Sequence, residues 1–357
     1  MQNPSSNRNI YIDIVKGVTM LLVIYGHAME ASGGAECRAN LDFFNDRIHD
    51  FIFSFHMPLF MLISGYLFCC SFLRHDTRYL VMSRMRSLLI PIISFGIVVA
   101  FIKMDYANIS FTSTIRCLVT SITRNLWFLY AVLILSLISL FIERKLNGKL
   151  FCYMIAICLT FFIPPHPFLL FNKEIAFMCP YFIAGLMFKR FQKNIVINDA
   201  RIIKVFFMSL VLFVIIFNYW TFSSYIYTSG VFVFKKDPLT HQILIDYNQI
   251  LIDIYRYVIG FLGSIMILSL IYVLIKLGSF SVPFIRDFLV FTGKKTMGLY
   301  CFHFIGTIWL ERMSVTNVGI DYGYTLFCSF ALYAFAMFFT CFFEQWSISR
   351  LMFLGGR

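Results

Sequence analysis

The chain has 357 residues, 60% of them hydrophobic and only 13% charged, with a mean hydropathy of +0.79. That composition excludes an ordinary soluble enzyme, and it places the protein among polytopic membrane proteins. The net charge of +12 would suit nucleic acid, but Lys and Arg recur in short clusters between apolar runs rather than in one patch, so no nucleic-acid partner is expected.

In chain order, ten apolar runs are candidates for crossing roughly 30 Å of hydrocarbon. They cover about 10–29, 51–73, 87–104, 125–142, 150–164, 175–188, 203–222, 254–277, 296–313 and 322–345. The expected architecture is all-α, a polytopic transmembrane helix bundle of about ten spans forming a single domain over 1–357. The first run does not read as a cleavable signal, because it lacks a compact basic region and is interrupted by Asp13 and Lys16. The fifth is short and ends at Pro164-Pro165. The longest connection, 223–253, mixes aromatic and polar residues and is expected to hold an interfacial helix over one membrane face. No internal repeat and no low-complexity tract is visible.

Orientation follows from the basic residues. With the N-terminus in the cytoplasm, nineteen Lys and Arg fall on the cytoplasmic side and ten on the other. This bias predicts both termini cytoplasmic. The first outer connection also carries five acids, Glu30, Glu36, Asp42, Asp46 and Asp50.

The first run holds an Asp, a Lys and a His, each costly inside a membrane and each by default the mark of a functional site. Lys16 and His27 are eleven residues apart, about three helical turns, which puts them on nearly one face with a rise of roughly 16 Å. Asp13 and Lys16 stand at i, i+3 and can neutralise each other. The second run opens on the outer side with His56, at a depth similar to His27. Pro58 follows and removes a backbone donor, and Gly65 permits close helix contact. A neutral imidazole here suits general-base work on a hydroxyl or, alternatively, transient carriage of an acyl group. His303 in the ninth run is a conceivable third ligand for a metal, but no spacing demands it and no metal site is expected. Arg84 and Arg86, before the third run, read either as membrane anchors or as a cytoplasmic phosphate site. Asn125 and Trp127, at the start of the fourth, read either as interface anchors or as the lining of a sugar-sized pocket. Ten Cys are scattered without metal-type spacing, and a disulfide between Cys37 and Cys117 stays open.

Several motifs together carry a resemblance. They are Asp13, Lys16 and Gly17 with Gly26-His27; the block from Phe55, His56, Met57 and Pro58 to Leu59 and Phe60; Ser64, Gly65 and Tyr66; Arg86 to Pro91; and Leu126 to Leu129. The chain is similar over these residues to the acyltransferase-3 family of integral membrane acyltransferases. The similarity is densest over 8–135 and returns at Gly298, Tyr300 and His303. Lys16 and His27, with ten residues between them, fit the family's first-span hallmark. A Lys at that position and the Phe-His-Met-Pro-Leu-Phe block are most similar to the branch named for fucose and other sugar O-acetylases. One departure is that the basic pair before the third span reads Arg84-Met85-Arg86, where the family often has two Arg three residues apart.

The resemblance implies a multi-pass enzyme of the inner (plasma) membrane, set in lipid. It would move an acyl group, preferentially acetyl, from cytoplasmic acyl-CoA to a hydroxyl of a cell-envelope or exported carbohydrate or a lipid-linked glycan. Acyl-CoA is then a donor substrate, and no bound cofactor is implied. His27, Lys16 and Asp13 would be the catalytic set. His56, Ser64, Tyr66, Asn125, Trp127 and His303 would bind substrate, and Arg84 and Arg86 would bind the donor. The alternative is a transporter or flippase of a glycan or small molecule, but the paired repeats and matched broken helices common in transporters are not seen.

Overall fold

The computed structural model describes residues 9–104, 106, 110–162, 173–194, 198–236, 242–313 and 320–356. The helices are α1 Ile10–Ser32, α2 Gly34–Asn40, α3 Arg47–Phe72, α4 Thr77–Arg84, α5 Ile90–Lys103, α6 Phe111–Arg124, α7 Trp127–Lys145, α8 Leu150–Phe162, α9 Lys173–Phe191 and α10 Asp199–Phe217. They continue with α11 Ile226–Ser229, α12 Tyr247–Lys276, α13 Pro283–Lys294, α14 Thr296–Met313, α15 Tyr322–Phe343 and α16 Ser347–Leu354. A short hairpin of β1 Phe234–Lys236 and β2 Ile243–Ile245 pairs Phe234 with Ile245 and Lys236 with Ile243.

Each of the ten apolar runs is helical over most of its described residues, and the protein is an all-α polytopic membrane protein. Among the described residues, seven helices are long and apolar enough to cross a membrane: α1, α3, the continuous Thr77–Lys103, α7, α10, α12 and α15. The others fall short of that measure. Helix α8 has 13 residues, about 20 Å of rise. Helix α9 carries charges at both ends, and α14 ends in Glu311 and Arg312. Pro164-Pro165 lies outside the described residues. Thr77–Lys103 is continuous because α4 and α5 join through one π-helical turn, Met85–Leu89. Pro58 is accommodated inside α3.

Two compact units, interleaved along the sequence, make up the chain. The first comprises Met1–Phe60, Val196–Trp220 and Ile259–Cys341. Its centre is α1, whose Ile14, Val15, Met20, Val23, Ile24 and Ala28 are buried on several faces at once. A helix so enclosed presents its polar residues to protein rather than to lipid, which is the setting in which intramembrane charge is tolerated. A Cβ on Gly17 would stand 2.2 Å from the Leu289 carbonyl oxygen, and one on Gly293 would stand 1.9 Å from that of Asp13. The α1 and α13 backbones therefore touch at two reciprocal glycines. The stretch 278–295 reads in sequence as a connection between spans; most of it is helix α13, which packs along the Asp13 end of α1. On α10, by contrast, Phe207, Met208, Val211, Leu212, Val214 and Ile215 are exposed. Such an apolar surface is suited to lipid.

The second unit comprises Met61–Ile195, Thr221–Val258 and Phe342–Arg357. It repeats the glycine device: a Cβ on Gly65 would lie 1.9 Å from the Phe182 carbonyl oxygen, and one on Gly185 would lie 1.9 Å from that of Leu62. The close contact expected at Gly65 thus occurs between α3 and α9. Nearby, Glu143 accepts from Tyr153 OH at 2.9 Å and from Arg190 Nη1 at 3.1 Å, tying the ends of α7, α8 and α9. The amphipathic α6, which sequence leaves as a loop, starts with a capping box in which Ser110 Oγ accepts from the Ser113 N–H at 3.1 Å.

The 223–253 connection differs from expectation. Among its described residues it holds no long interfacial helix but the single turn α11, the hairpin and the start of α12. Its organiser is Arg256, 2% exposed, whose guanidinium donates to the carbonyls of Ser223, Ser224, Tyr225 and Gly230 and pairs with Asp253 at 3.1 Å. Five donors in a rigid fork can hold a turn that has no ladder of its own. All ten cysteines are free thiols, Cys37 and Cys117 included.

Candidate active site

The polar residues of the first span form two groups. At its N-terminal end Asp13 is buried, and Lys16 Nζ lies 3.6 Å from Asp13 Oδ1, so the pairing foreseen from the i, i+3 spacing forms. Three turns away His27 directs Nδ1 at Glu30 Oε2, 2.9 Å distant. A carboxylate oxygen can only accept, so this nitrogen carries a proton, and in the neutral ring Nε2 then has the lone pair.

Around His27 the first unit gathers further imidazoles. The ring of His303 lies 5.3 Å from it between centroids, and that of Phe53 lies 6.2 Å away, edge-on. Phe53 in turn touches His56, at 4.8 Å. Gly26 admits Phe53, since a Cβ there would meet the ring at 2.9 Å. His56 Nδ1 donates to the Ile52 carbonyl at 2.7 Å, and His303 Nδ1 donates to that of Leu299 at 3.0 Å. Each bond runs back one helical turn and fixes the tautomer, so each neutral ring offers a lone pair on Nε2. Nε2 of His303 is buried and has no hydrogen-bond partner among the described residues. An acceptor left in that state costs about 1–3 kcal/mol, which a hydroxyl or amide donor would offset.

Two residues of this cluster were not singled out in the sequence. Glu30 stands at i+3 from His27 and bridges to His49, whose Nε2 is 3.2 Å from Oε1. His49 has a side chain with no solvent exposure and stacks on Phe53 at 3.9 Å. It is placed by the start of α3, where Asp46 Oδ1 accepts from the backbone N–H groups of Ile48 and His49. The signal for Glu30 was its i, i+3 spacing from His27; for His49 no local signal existed.

The remaining site residues named from sequence belong to the second unit. Ser64 and Tyr66 are half-buried on α3, with Lys189 Nζ 5.2 Å from the Tyr66 ring. Asn125 lies in the turn before α7, and its Nδ2 is buried without a hydrogen-bond partner among the described residues. Trp127 opens α7 and meets Phe128 edge-on at 6.0 Å. The guanidinium of Arg84 lies 5.4 Å from the Phe68 ring, whereas Arg86 sits in the π-helical turn and is exposed. Among the described residues, no group of three or more His, Cys, Asp and Glu is placed to hold a metal ion.

Comparison with known proteins adds a family. The nodulation protein NolL of Mesorhizobium japonicum is 31% identical over 134 residues, which are 36% of this chain and 35% of that protein. The NolL of Sinorhizobium fredii is 34% identical over 133 residues, with the same coverage. The matched part of the chain thus spans about a third of the length of these curated relatives. No solved structure matches. A family described as an acyltransferase domain matches residues 9–346, almost the whole chain and both of its units. With that extent of match, the chain belongs to the acyltransferase-3 family.

Proposed function

We propose that this protein is an O-acyltransferase of the inner (plasma) membrane that moves an acyl group, preferentially acetyl, from cytoplasmic acyl-CoA to a hydroxyl of a cell-envelope or exported carbohydrate. The observation that carries the reading is the setting of His27: its Nδ1 is engaged by the Glu30 carboxylate, and its ring lies beside that of His303, whose buried Nε2 has no hydrogen-bond partner among the described residues. Membership of an acyltransferase family supports the reaction class.

In this reading the acceptor hydroxyl lies against His27 Nε2. Its oxygen attacks the thioester carbonyl as its proton passes to that nitrogen. The new C–O bond forms, the C–S bond breaks, and the imidazolium returns the proton to the departing CoA thiolate. His56 and His303 serve as hydrogen-bond acceptors for neighbouring hydroxyls, since their Nδ1–H groups are spent on the helix backbone. The Asn125 amide, with Nδ2 unsatisfied, and Ser64, Tyr66 and Trp127 contribute to substrate binding. Lys16, balanced by Asp13, and the cations Arg84 and Arg86 serve the CoA end. A rise of roughly 16 Å between Lys16 and His27 is close to the reach of an extended pantetheine arm.

The test uses membranes carrying the endogenous glycan, supplied with radiolabelled acetyl-CoA. Label should enter the glycan fraction, and His27→Ala should lower the rate by at least about 10²-fold, the lower range for a general base. A transporter would leave the glycan unlabelled. Near-normal labelling by His27→Ala would overturn the role given to this residue.

A further inference from the structure

We propose that Glu30 is the positioning residue of His27, and that His49 holds Glu30 in the orientation this requires; the proposal rests on His27 acting as the base. The geometry is that of a carboxylate shared between two imidazoles. One oxygen receives His27 Nδ1–H at 2.9 Å and the other receives His49 Nε2–H at 3.2 Å.

Three consequences follow from this arrangement. First, the Glu30 bond excludes the tautomer in which Nε2 bears hydrogen, and that tautomer cannot take a proton from the acceptor. Second, a ring that takes the hydroxyl proton goes from neutral to positive during transfer. The carboxylate attraction therefore grows toward the transition state, which is how a fixed charge lowers a barrier rather than merely tightening binding. Third, a carboxylate with two freely rotating bonds beyond Cβ needs a second anchor to stay aimed. His49 supplies it from a rigid place: the ring is solvent-free, stacked on Phe53 and flanked by Phe43 and Phe44 at 5.3 and 5.6 Å. Enclosed in this way, His49 acts through Glu30 and not on a solvent-borne substrate, and its bond also offsets part of the cost of a carboxylate at the end of a membrane span.

The experiment measures label transfer from acetyl-CoA into endogenous glycan in native membranes, per mole of enzyme, across a range of acetyl-CoA concentrations. Glu30→Gln keeps the shape and removes the charge. It should lower the rate at saturating acetyl-CoA by about 10²-fold to 10⁴-fold and leave the apparent KM within about twofold. Glu30→Asp, which restores the charge, should recover at least about tenfold of that loss. His49→Phe keeps the stacking surface and removes the donor, so it should lower the same rate about tenfold, and His49→Gln, which returns a donor, should restore most of it. Wild-type rates in Glu30→Gln and His49→Phe, with His27→Ala inactive, overturn the positioning role and leave the base standing. Equal loss in Glu30→Gln and Glu30→Asp, or a loss that appears only as a raised KM, also overturns it. Absence of labelling by the wild type overturns instead the function on which the proposal rests.

Discussion

Lys16 is the residue whose chemistry is easiest to misassign. It shares a helix face with His27, yet the rise of roughly 16 Å between them is too long for one side chain to touch the other. It pairs with Asp13 at 3.6 Å, and its side chain is 17% exposed, so it is neither sealed off nor free in water. A cation paired with a carboxylate near the end of a span can also meet an anionic donor group without bearing the full cost of an isolated charge in the membrane. Lys16→Arg keeps the charge and changes the donor geometry, so it should retain part of the acyl-transfer activity. Lys16→Met should lose most of it and raise the apparent KM for acetyl-CoA more than that for the acceptor. Steady-state rates with each substrate varied in turn make the distinction, and a rise confined to the acceptor KM would move Lys16 to the glycan side.

At the scale of helices, the decisive contacts are between backbones. Gly65 and Gly185 each face the other helix's carbonyl group, and Gly17 and Gly293 do the same on α1 and α13. Lipid tails are as apolar as Leu, so helices in a bilayer gain little from hiding apolar side chains and depend on close approach instead. A methyl group at these positions meets main chain, which no rotamer change relieves. Gly65→Ala and Gly17→Ala should each destabilise the protein by about 1–3 kcal/mol, the usual range for overpacking. The check is the thermal midpoint of the detergent-solubilised variants. Midpoints equal to wild type would mean that the helices separate there at no cost.

For the whole molecule, the Lys and Arg bias makes a statement about sidedness. Nineteen against ten predicts that both termini are cytoplasmic. Reporter fusions after residues 40, 80, 147 and 195 should read outside, inside, inside and inside. The informative points are 147 and 195, because α8 and α9 lie between them and α8 has only 13 residues. A reporter at 195 on the opposite side from 147 would mean that only one of the two crosses.

Much of the fold was legible in the chain. Hydropathy located ten helical runs because a backbone in lipid must satisfy its own hydrogen bonds, so each span announces itself locally by length and apolarity. The 3.6-residue period likewise placed Asp13, Lys16 and His27 on one helix and foretold the Asp13–Lys16 pair. Other features depended on what meets what. Helix α13 reads as a connection until its backbone is seen against Gly17. Arg256 reads as one more cation of the outer side until four carbonyls of a distant turn close around it. Glu30 and His49 are nineteen residues apart, and in sequence Glu30 is one of five acids leading into a loop. Only the packing of α3 against the end of α1 turns that acid into the bridge between two imidazoles. Local pattern determines where a helix runs and what it carries; which of those groups become partners depends on directional contacts of a few ångströms between segments distant in sequence, and those exist only once the helices have packed.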